Sequence, residues 1–289
     1  MIKILVTGEN GFIGRNLTNL LKSRSFEIIE IGDINNINLC DWDSVRNIAK
    51  SEIIIHLASK TFVPESFNQA LYYYNNNITS TLNILEKAKL DRSKVIFFST
   101  YVYGIPQYLP IDENHIICAL NPYTQSKLIC EQLCVAYNRD FGVPITIFRP
   151  FNIYGPGQNP PFFIPTIINQ LNNEFIQLGD SRPRRDFVFV DDVIEAVYQS
   201  IIINDNTFKI YNLGSGVSIS VKEIANLIIN ISQSKAKIKF SEQIRQGEIL
   251  DTIADISKIK NELCWQPKIT LDKGINLCLD HIKNKNLFK

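Results

Sequence analysis

The sequence predicts an α/β fold, a doubly wound parallel sheet with a smaller C-terminal α/β lobe. Three observations predict it. The first half alternates short apolar runs with stretches of helical period. The runs are unbroken in apolar character, as strands covered on both faces must be. A GxxGxxG spacing stands where the first run gives way to the first helix.

In chain order, "KILVT" (3–7), "FEIIEI" (26–31), "SEIIIHLA" (51–58), "KVIFFS" (94–99) and "VPITIFR" (143–149) read as buried strands. Between them "FIGRNLTNLLKS", "WDSVRNIAK", "NITSTLNILEKAK" and "YTQSKLICEQLCVAYNRDFG" place apolar residues at helical spacing. A βαβ series of this kind winds into a parallel sheet. After Arg149 the order breaks: "PFNIYGPGQNPPFFIP" is a proline- and glycine-rich loop, "DFVFVDDVIEAVYQSII" a strand leading into a helix, and "FKIYNLGSG" a further strand. From "SISVKEIANLIINI" onward helices and short strands alternate irregularly. The division expected is a dinucleotide-binding (Rossmann) domain over 1–150 with 186–214, and a substrate lobe over 151–185 and 215–289. Ligands of open α/β sheets bind at the carboxyl edge, so a cleft is expected there.

Composition narrows the function. In 289 residues, 30 Lys+Arg against 29 Asp+Glu give a net charge of +1. With no basic block, nothing marks a nucleic-acid surface, and a small-molecule partner is expected. The amino terminus has no signal-peptide pattern and no apolar run reaches membrane-spanning length, so a soluble protein is expected. Six cysteines without a CxxC pair suggest buried reduced thiols of a cytoplasmic protein. The histidines 56, 115 and 281 are scattered, and no metal site is expected.

In "VTGENGFIGRNL", Gly8, Gly11 and Gly14 follow the first strand and open the first helix. Backbone can approach a diphosphate closely only where side chains are absent, and a helix N-terminus offers it unpaired N–H groups. Asp33 follows the second strand, nineteen residues after Gly14. A carboxylate there accepts from both ribose hydroxyls of an adenosine and repels a 2′-phosphate, so NAD(H) is preferred and NADP(H) remains possible. The other reading of Asp33 is a turn residue.

Tyr123 and Lys127 in "NPYTQSKLICEQL" are one helical turn apart and share a face. A phenol works as an acid–base near neutral pH only if its anion is stabilised, and an ammonium one turn away does that. Ser99 ends the neighbouring strand, where a hydroxyl can hold a reacting oxygen. With "TGENGFIG", "HLAS", "NNNITSTLNILE", "FFSTYVYG", "YTQSK", "RPFNIYGPGQ", "RRDFVFVDDV" and "RQGEI" over nearly its whole length, the chain resembles the extended short-chain dehydrogenase/reductases. That family includes nucleotide-sugar epimerases, dehydratases and 4-ketoreductases.

The resemblance implies Tyr123 as acid–base, Lys127 as its partner and Ser99 as the family hydroxyl, with Thr100 the fallback. It implies cofactor contacts from Gly8, Asn10, Gly11, Phe12, Ile13, Gly14, Asp33, Leu57, Ala58, Ser59, Asn77 and Pro150, besides Tyr123 and Lys127. For a nucleotide-diphosphate sugar it implies Asn152, the diphosphate arginines Arg185 and Arg245, and Tyr103 at the pocket wall. Arg184 can exchange roles with Arg185. Either arginine can instead pair with Asp186, Asp191 or Glu248, and Tyr103 and Tyr101 can instead be packing aromatics. The family's 4,6-dehydratases carry Asp-Glu after the hydroxyl, and Thr100-Tyr101 stands there, which sets dehydration aside. A decarboxylating relative would hold a glutamate at position 101. What remains is a hydride moved at a sugar C4: a 4-ketoreductase first, a 4-epimerase with retained NAD second, and an inactive nicotinamide-sensing protein a distant third. Relatives pair two such helices across a two-fold axis, so a homodimer through a four-helix bundle is implied.

Overall fold

The computed structural model describes residues 2–31, 37–203, 205–241 and 248–287. The expectations placed on Asp33 and Arg245 lie outside them. The strands are β1 (Lys3–Thr7), β2 (Glu27–Glu30), β3 (Ile53–His56), β4 (Lys94–Phe98), β5 (Ile145–Pro150), β6 (Asn152–Tyr154), β7 (Phe175–Leu178), β8 (Arg184–Phe189), β9 (Lys209–Leu213), β10 (Ser218–Ser220) and β11 (Lys237–Phe240). The helices are α1 (Phe12–Ser23), α2 (Trp42–Arg46), α3 (Val63–Asn68), α4 (Ala70–Asp91), α5 (Pro122–Phe141), α6 (Phe163–Ile168), α7 (Val190–Ile203), α8 (Val221–Ser232), α9 (Ser257–Leu263) and α10 (Leu271–Leu287).

The chain forms two compact units. The first, residues 1–104, 116–150 and 194–212, is built on a six-stranded sheet of order β2-β1-β3-β4-β5-β9. Its strands β1 to β5 pair in parallel, Leu5 standing opposite Ile29 and Ile54, and Ile96 opposite Ile55 and Thr146. β1, β3, β4 and β5 are almost wholly buried, as continuous apolar runs require. β2 departs from that expectation. It lies at the sheet edge with β1 as its partner, and its four residues are half-buried or exposed. One core cluster joins Leu5, Ile54, Ile84, Phe97, Cys130 and Ile147.

Two helices differ in extent from the periodic pattern. α2 stops at Arg46, with Asp41 as its N-cap accepting from Ser44 N, though Ile48 beyond it is still buried. α4 starts at Ala70, seven residues before the apolar period becomes visible. "LYYYNNN" hides that turn because its buried members, Tyr73 and Asn77, are polar-tipped. The cysteines are all free, yet only Cys130, Cys134 and Cys278 are buried; Cys118 and Cys264 are exposed, which corrects the expectation for them.

The second unit comprises residues 105–115, 151–193 and 213–289. Sequence placed 186–214 with the large sheet. β8 instead pairs with β6 and β10, and it is α7 from Ile194 and β9 that cluster with the first unit. β7 and β11 form a separate parallel pair. Asp186, fully buried on β8, accepts from Ser215 N and Oγ, Gly216 N and Ala254 N at 2.6 to 3.1 Å. One carboxylate thus ties three segments, and a Cβ at Gly214 would lie 2.7 Å from its Oδ2. Among the described residues no helix is long and apolar enough to cross a membrane.

Candidate active site

The carboxyl ends of β1 and β3 carry the glycine-rich turn and the "HLAS" loop side by side. Gly8 has φ +76°, and a Cβ there would stand 2.8 Å from Ala58 N. A Cβ at Gly14 would stand 2.1 Å from Gly8 O, so α1 can start this close to β1 only with glycine. Gly11 is the N-cap of α1 and supplies no side-chain cap, which leaves first-turn amides at Phe12, Ile13 and Gly14 for an anion. A dinucleotide diphosphate fits this cradle. Asn10 is exposed, while Leu57, Ala58 and Ser59 are half-buried on the adjoining loop.

Asn77 explains how that loop is held. Its Oδ1 accepts from Lys60 N at 2.8 Å, and its Nδ2 donates to Lys60 O at 3.1 Å and to Ser126 Oγ at 2.9 Å. The loop after β3 is therefore fastened to α5, between Tyr123 and Lys127.

α5 begins where Asn121 accepts from Thr124 N in a capping box with Pro122 in the first turn. Tyr123 is 8% exposed and Lys127 3%. Burial pushes the Tyr123 phenol up to about 12, against a hydroxyl contact from Thr100 that favours its anion. Burial draws Lys127 down to about 8, opposed by acidic groups on the same helix. Cys130 and Cys134 are themselves pushed up by burial, so Glu131 is the carboxylate among them. The Lys127 Nζ lies 4.6 Å from the centre of the Phe97 ring, whose negative face suits an ammonium. His56, fully enclosed, is held neutral, its pKa lowered to about 3 by burial and by Lys127. Its Nδ1 lies 2.7 Å from Thr7 Oγ1 and its Nε2 3.2 Å from Thr81 Oγ1.

At the end of β4, Ser99 is 4% exposed and its Oγ has no hydrogen-bond partner among the described residues. An orphaned buried hydroxyl is costly unless a ligand completes it. Thr100 is half-buried beside Tyr123, and Tyr101 donates its hydroxyl to Gly104 O. Tyr103 follows the packing alternative: it is 1% exposed, and its hydroxyl bonds Asn212 and Arg149, so it is not available as a pocket wall. Pro150 ends β5, buried.

In the second unit a cavity of about 210 Å³ is lined by Asn152, Phe163, Asp180, Arg185, Phe187 and Glu248 among others. Asn152 Nδ2 donates to Asp186 O at 3.0 Å, which aims the amide. Arg185 pairs with Glu248 and donates to Ile249 O, so its partner here is one of the carboxylates foreseen for it. Arg184 points elsewhere, to Ser218 O and Glu223.

Sequence reasoning missed three contributors: Ser126, His56 and the buried pair Arg149–Glu131. An arginine inside the apolar run "VPITIFR" was the available signal, since such a charge is buried only with a partner.

The NAD dependent epimerase/dehydratase family model matches residues 4–214. The putative UDP-glucose 4-epimerase of Methanocaldococcus jannaschii is 34% identical over 98% of this chain and 99% of its own. The GDP-6-deoxy-D-talose 4-dehydrogenase of Aggregatibacter actinomycetemcomitans is 35% identical over 91% of each. Among solved structures, RMD from Pseudomonas aeruginosa complexed with NADPH superposes with a TM-score of 0.92 at 27% identity, covering 99% of this chain and 100% of that one.

Proposed function

The chain belongs to the NAD dependent epimerase/dehydratase family, and from that premise we propose that it reduces C4 of a nucleotide-diphosphate 4-keto-6-deoxyhexose with NAD(P)H. The observation that carries the reading is the buried Tyr123–Lys127 face of α5 together with the unpartnered Ser99 hydroxyl. Bound nicotinamide supplies the hydride. Tyr123 gives its proton to the C4 oxygen, and Ser99 donates a hydrogen bond to the same oxygen, with Thr100 in contact with the phenol. Lys127 stabilises the phenolate left behind and reaches the nicotinamide ribose. The Gly8–Gly14 backbone holds the diphosphate of the dinucleotide, and Asp33 its adenosine ribose, which favours NADH. Asn152, Arg185 and Arg245 hold the nucleotide sugar.

Burial favours the protonated phenol in the ligand-free protein, pushing it up to about 12; the same phenol gives a proton in reduction and takes one when an epimerase opens. The relatives that support reduction are the 4-dehydrogenase of a GDP-6-deoxyhexose and the NADPH-complexed RMD. The second reading, a 4-epimerase, is supported by the similarity to a putative UDP-glucose 4-epimerase.

The two are separated by the nicotinamide released when freshly desalted protein is denatured. Near zero per chain, with NADH or NADPH consumed when 4-keto-6-deoxy nucleotide sugars are added, is the result expected. About one NAD per chain, with no consumption, replaces reduction by epimerisation. A homodimer through α4 and α5 is part of the proposal, supported by exposed Leu71, Leu82, Leu90, Val135 and Phe141 on those helices. Light scattering at the monomer mass would remove it.

A further inference from the structure

Three segments of the first unit meet at one buried guanidinium, and a fourth joins them through Tyr103. Arg149, on β5, is 2% exposed. Its Nε and Nη2 donate to the Glu131 carboxylate of α5 at 3.0 and 2.6 Å. Its Nη1 donates to Tyr103 Oη at 3.0 Å, and its guanidinium carbon lies 5.1 Å from the Tyr103 ring centre. Tyr103 in turn donates to Asn212 Oδ1 on β9 at 2.5 Å. Glu131 stands one helical turn beyond Lys127 and two beyond Tyr123, while Tyr103 stands four residues after Ser99.

A buried ion pair is poor value for stability alone. Both charges lose their hydration, and well-packed apolar residues of similar volume do as well or better. What a planar, forked guanidinium adds is direction, since each donor fixes one neighbour at a set angle. We propose that Arg149 is a positioning residue: by clamping Glu131 and Tyr103 it sets the register of the α5 face bearing Tyr123 and Lys127 against the strand-end turn bearing Ser99. This rests on the reading of those three residues as the catalytic set. The clamp is needed because the set comes from two elements, and neither Tyr123 nor Ser99 has a covalent route to the other shorter than the chain between residues 99 and 123. A misplacement of about 1 Å between reacting groups costs on the order of 10²-fold in rate.

The test compares the parent with Arg149→Met/Glu131→Leu, which removes both charges of the clamp and with them the carboxylate one turn from Lys127, and with Tyr103→Phe, which removes one hydroxyl and leaves that carboxylate in place. Turnover is followed as NADH oxidation with GDP-4-keto-6-deoxymannose and dTDP-4-keto-6-deoxyglucose, and NADH affinity by its fluorescence. The result expected of the double variant is a melting temperature at or above the parent's, KM and NADH affinity within about 3-fold, and kcat lower by about 10²-fold. Tyr103→Phe should lower kcat by about 10-fold, with melting and KM little changed. A folded double variant, or Tyr103→Phe should the double variant not fold, with kcat at the parent's level overturns the proposal. Tyr123→Phe runs beside them as a control. If that variant is fully active, the catalytic reading itself has failed, and a parent that oxidises NADH with neither sugar defeats the proposed reduction; a dead Tyr123→Phe with an unimpaired Arg149 variant defeats the clamp alone.

Discussion

Replacing Lys127 by methionine should make the ligand-free protein more stable and the enzyme far slower. The magnitude follows from the site. Lys127 is 3% exposed, and burial draws its ammonium from 10.5 down to about 8, which corresponds to about 3 kcal/mol of penalty at neutral pH. Losing the contact with the Phe97 ring returns up to about 2 kcal/mol of that. The net gain is about 1–2 kcal/mol, a melting temperature higher by about 2–4 °C. Below pH 8 the lysine is protonated in both states and the penalty is complete. Between about 8 and 10.5 the unfolded chain binds the proton that the folded chain has released, so the parent gains stability as pH rises and the advantage of Lys127→Met shrinks. The assay is thermal melting of both proteins, free of nicotinamide, at intervals from pH 7 to 10, with NADH affinity and turnover measured at pH 7. Turnover should fall by at least about 10²-fold. A variant no more stable than the parent at pH 7, or an advantage that does not change with pH, would refute the buried-ammonium argument.

Tyr123→Phe keeps the ring and removes the proton donor: turnover should fall by about 10²- to 10⁴-fold, while NADH binding and melting stay near the parent's. Fluorescence titration and calorimetry decide the second half of that statement. Gly14→Ala puts a methyl 2.1 Å from Gly8 O and 2.6 Å from Glu9 Cα, so the start of α1 must move off β1. NADH affinity should drop by more than about 10-fold, where Gly179→Ala, whose methyl meets nothing within 4 Å, leaves it unchanged. Asp33→Ser should relax the preference for NADH over NADPH, read as the ratio of kcat/KM; an unmoved ratio makes Asp33 a turn residue. Asp186→Ala strands three backbone donors and a hydroxyl, each worth about 1–3 kcal/mol when buried unpaired. Amide exchange at Ser215, Gly216 and Ala254 should rise sharply, and unaltered exchange would place their support elsewhere.

How much of this was legible in the sequence depends on the kind of force involved. The strands β1, β3, β4 and β5 could be read because burial on both faces writes itself as unbroken apolar runs. The turn at Gly8 to Gly14 could be read because steric closeness admits one residue type. Tyr123 and Lys127 could be read from helical spacing. What could not be read is pairing at long range. Arg149 meets Glu131 and Tyr103 through the folded sheet, and nothing local in "IFRPF" or "CEQLC" names the partner. Asn77 is a similar case: its spacing on α4 says nothing of Lys60 or Ser126. The start of α4 was hidden because Tyr73 buries a ring and keeps its hydroxyl on Phe62 O and Glu65.

On the proposed reading, the pair Thr100-Tyr101 holds the site to a single hydride step. Dehydration at C5–C6 needs an acid and a base of its own beside the reacting carbon. Here the first position is a neutral hydroxyl set against the Tyr123 phenol. The second spends its hydroxyl on Gly104 O, closing the turn in which Gly104 adopts φ +69°. A Cβ at Gly104 would stand 2.6 Å from Cys118 O, so that turn has no slack. A carboxylate at position 101 would therefore lose the bond that shapes the turn before it gained any chemistry. Tyr101→Glu should disturb the placement of Ser99 and Tyr103 and lower reduction without creating dehydration. If Tyr101→Glu with Thr100→Asp instead released water from a 4-keto substrate's parent sugar, the turn would be more permissive than its hydrogen bonds imply, and the division between reductase and dehydratase would lie elsewhere in the chain.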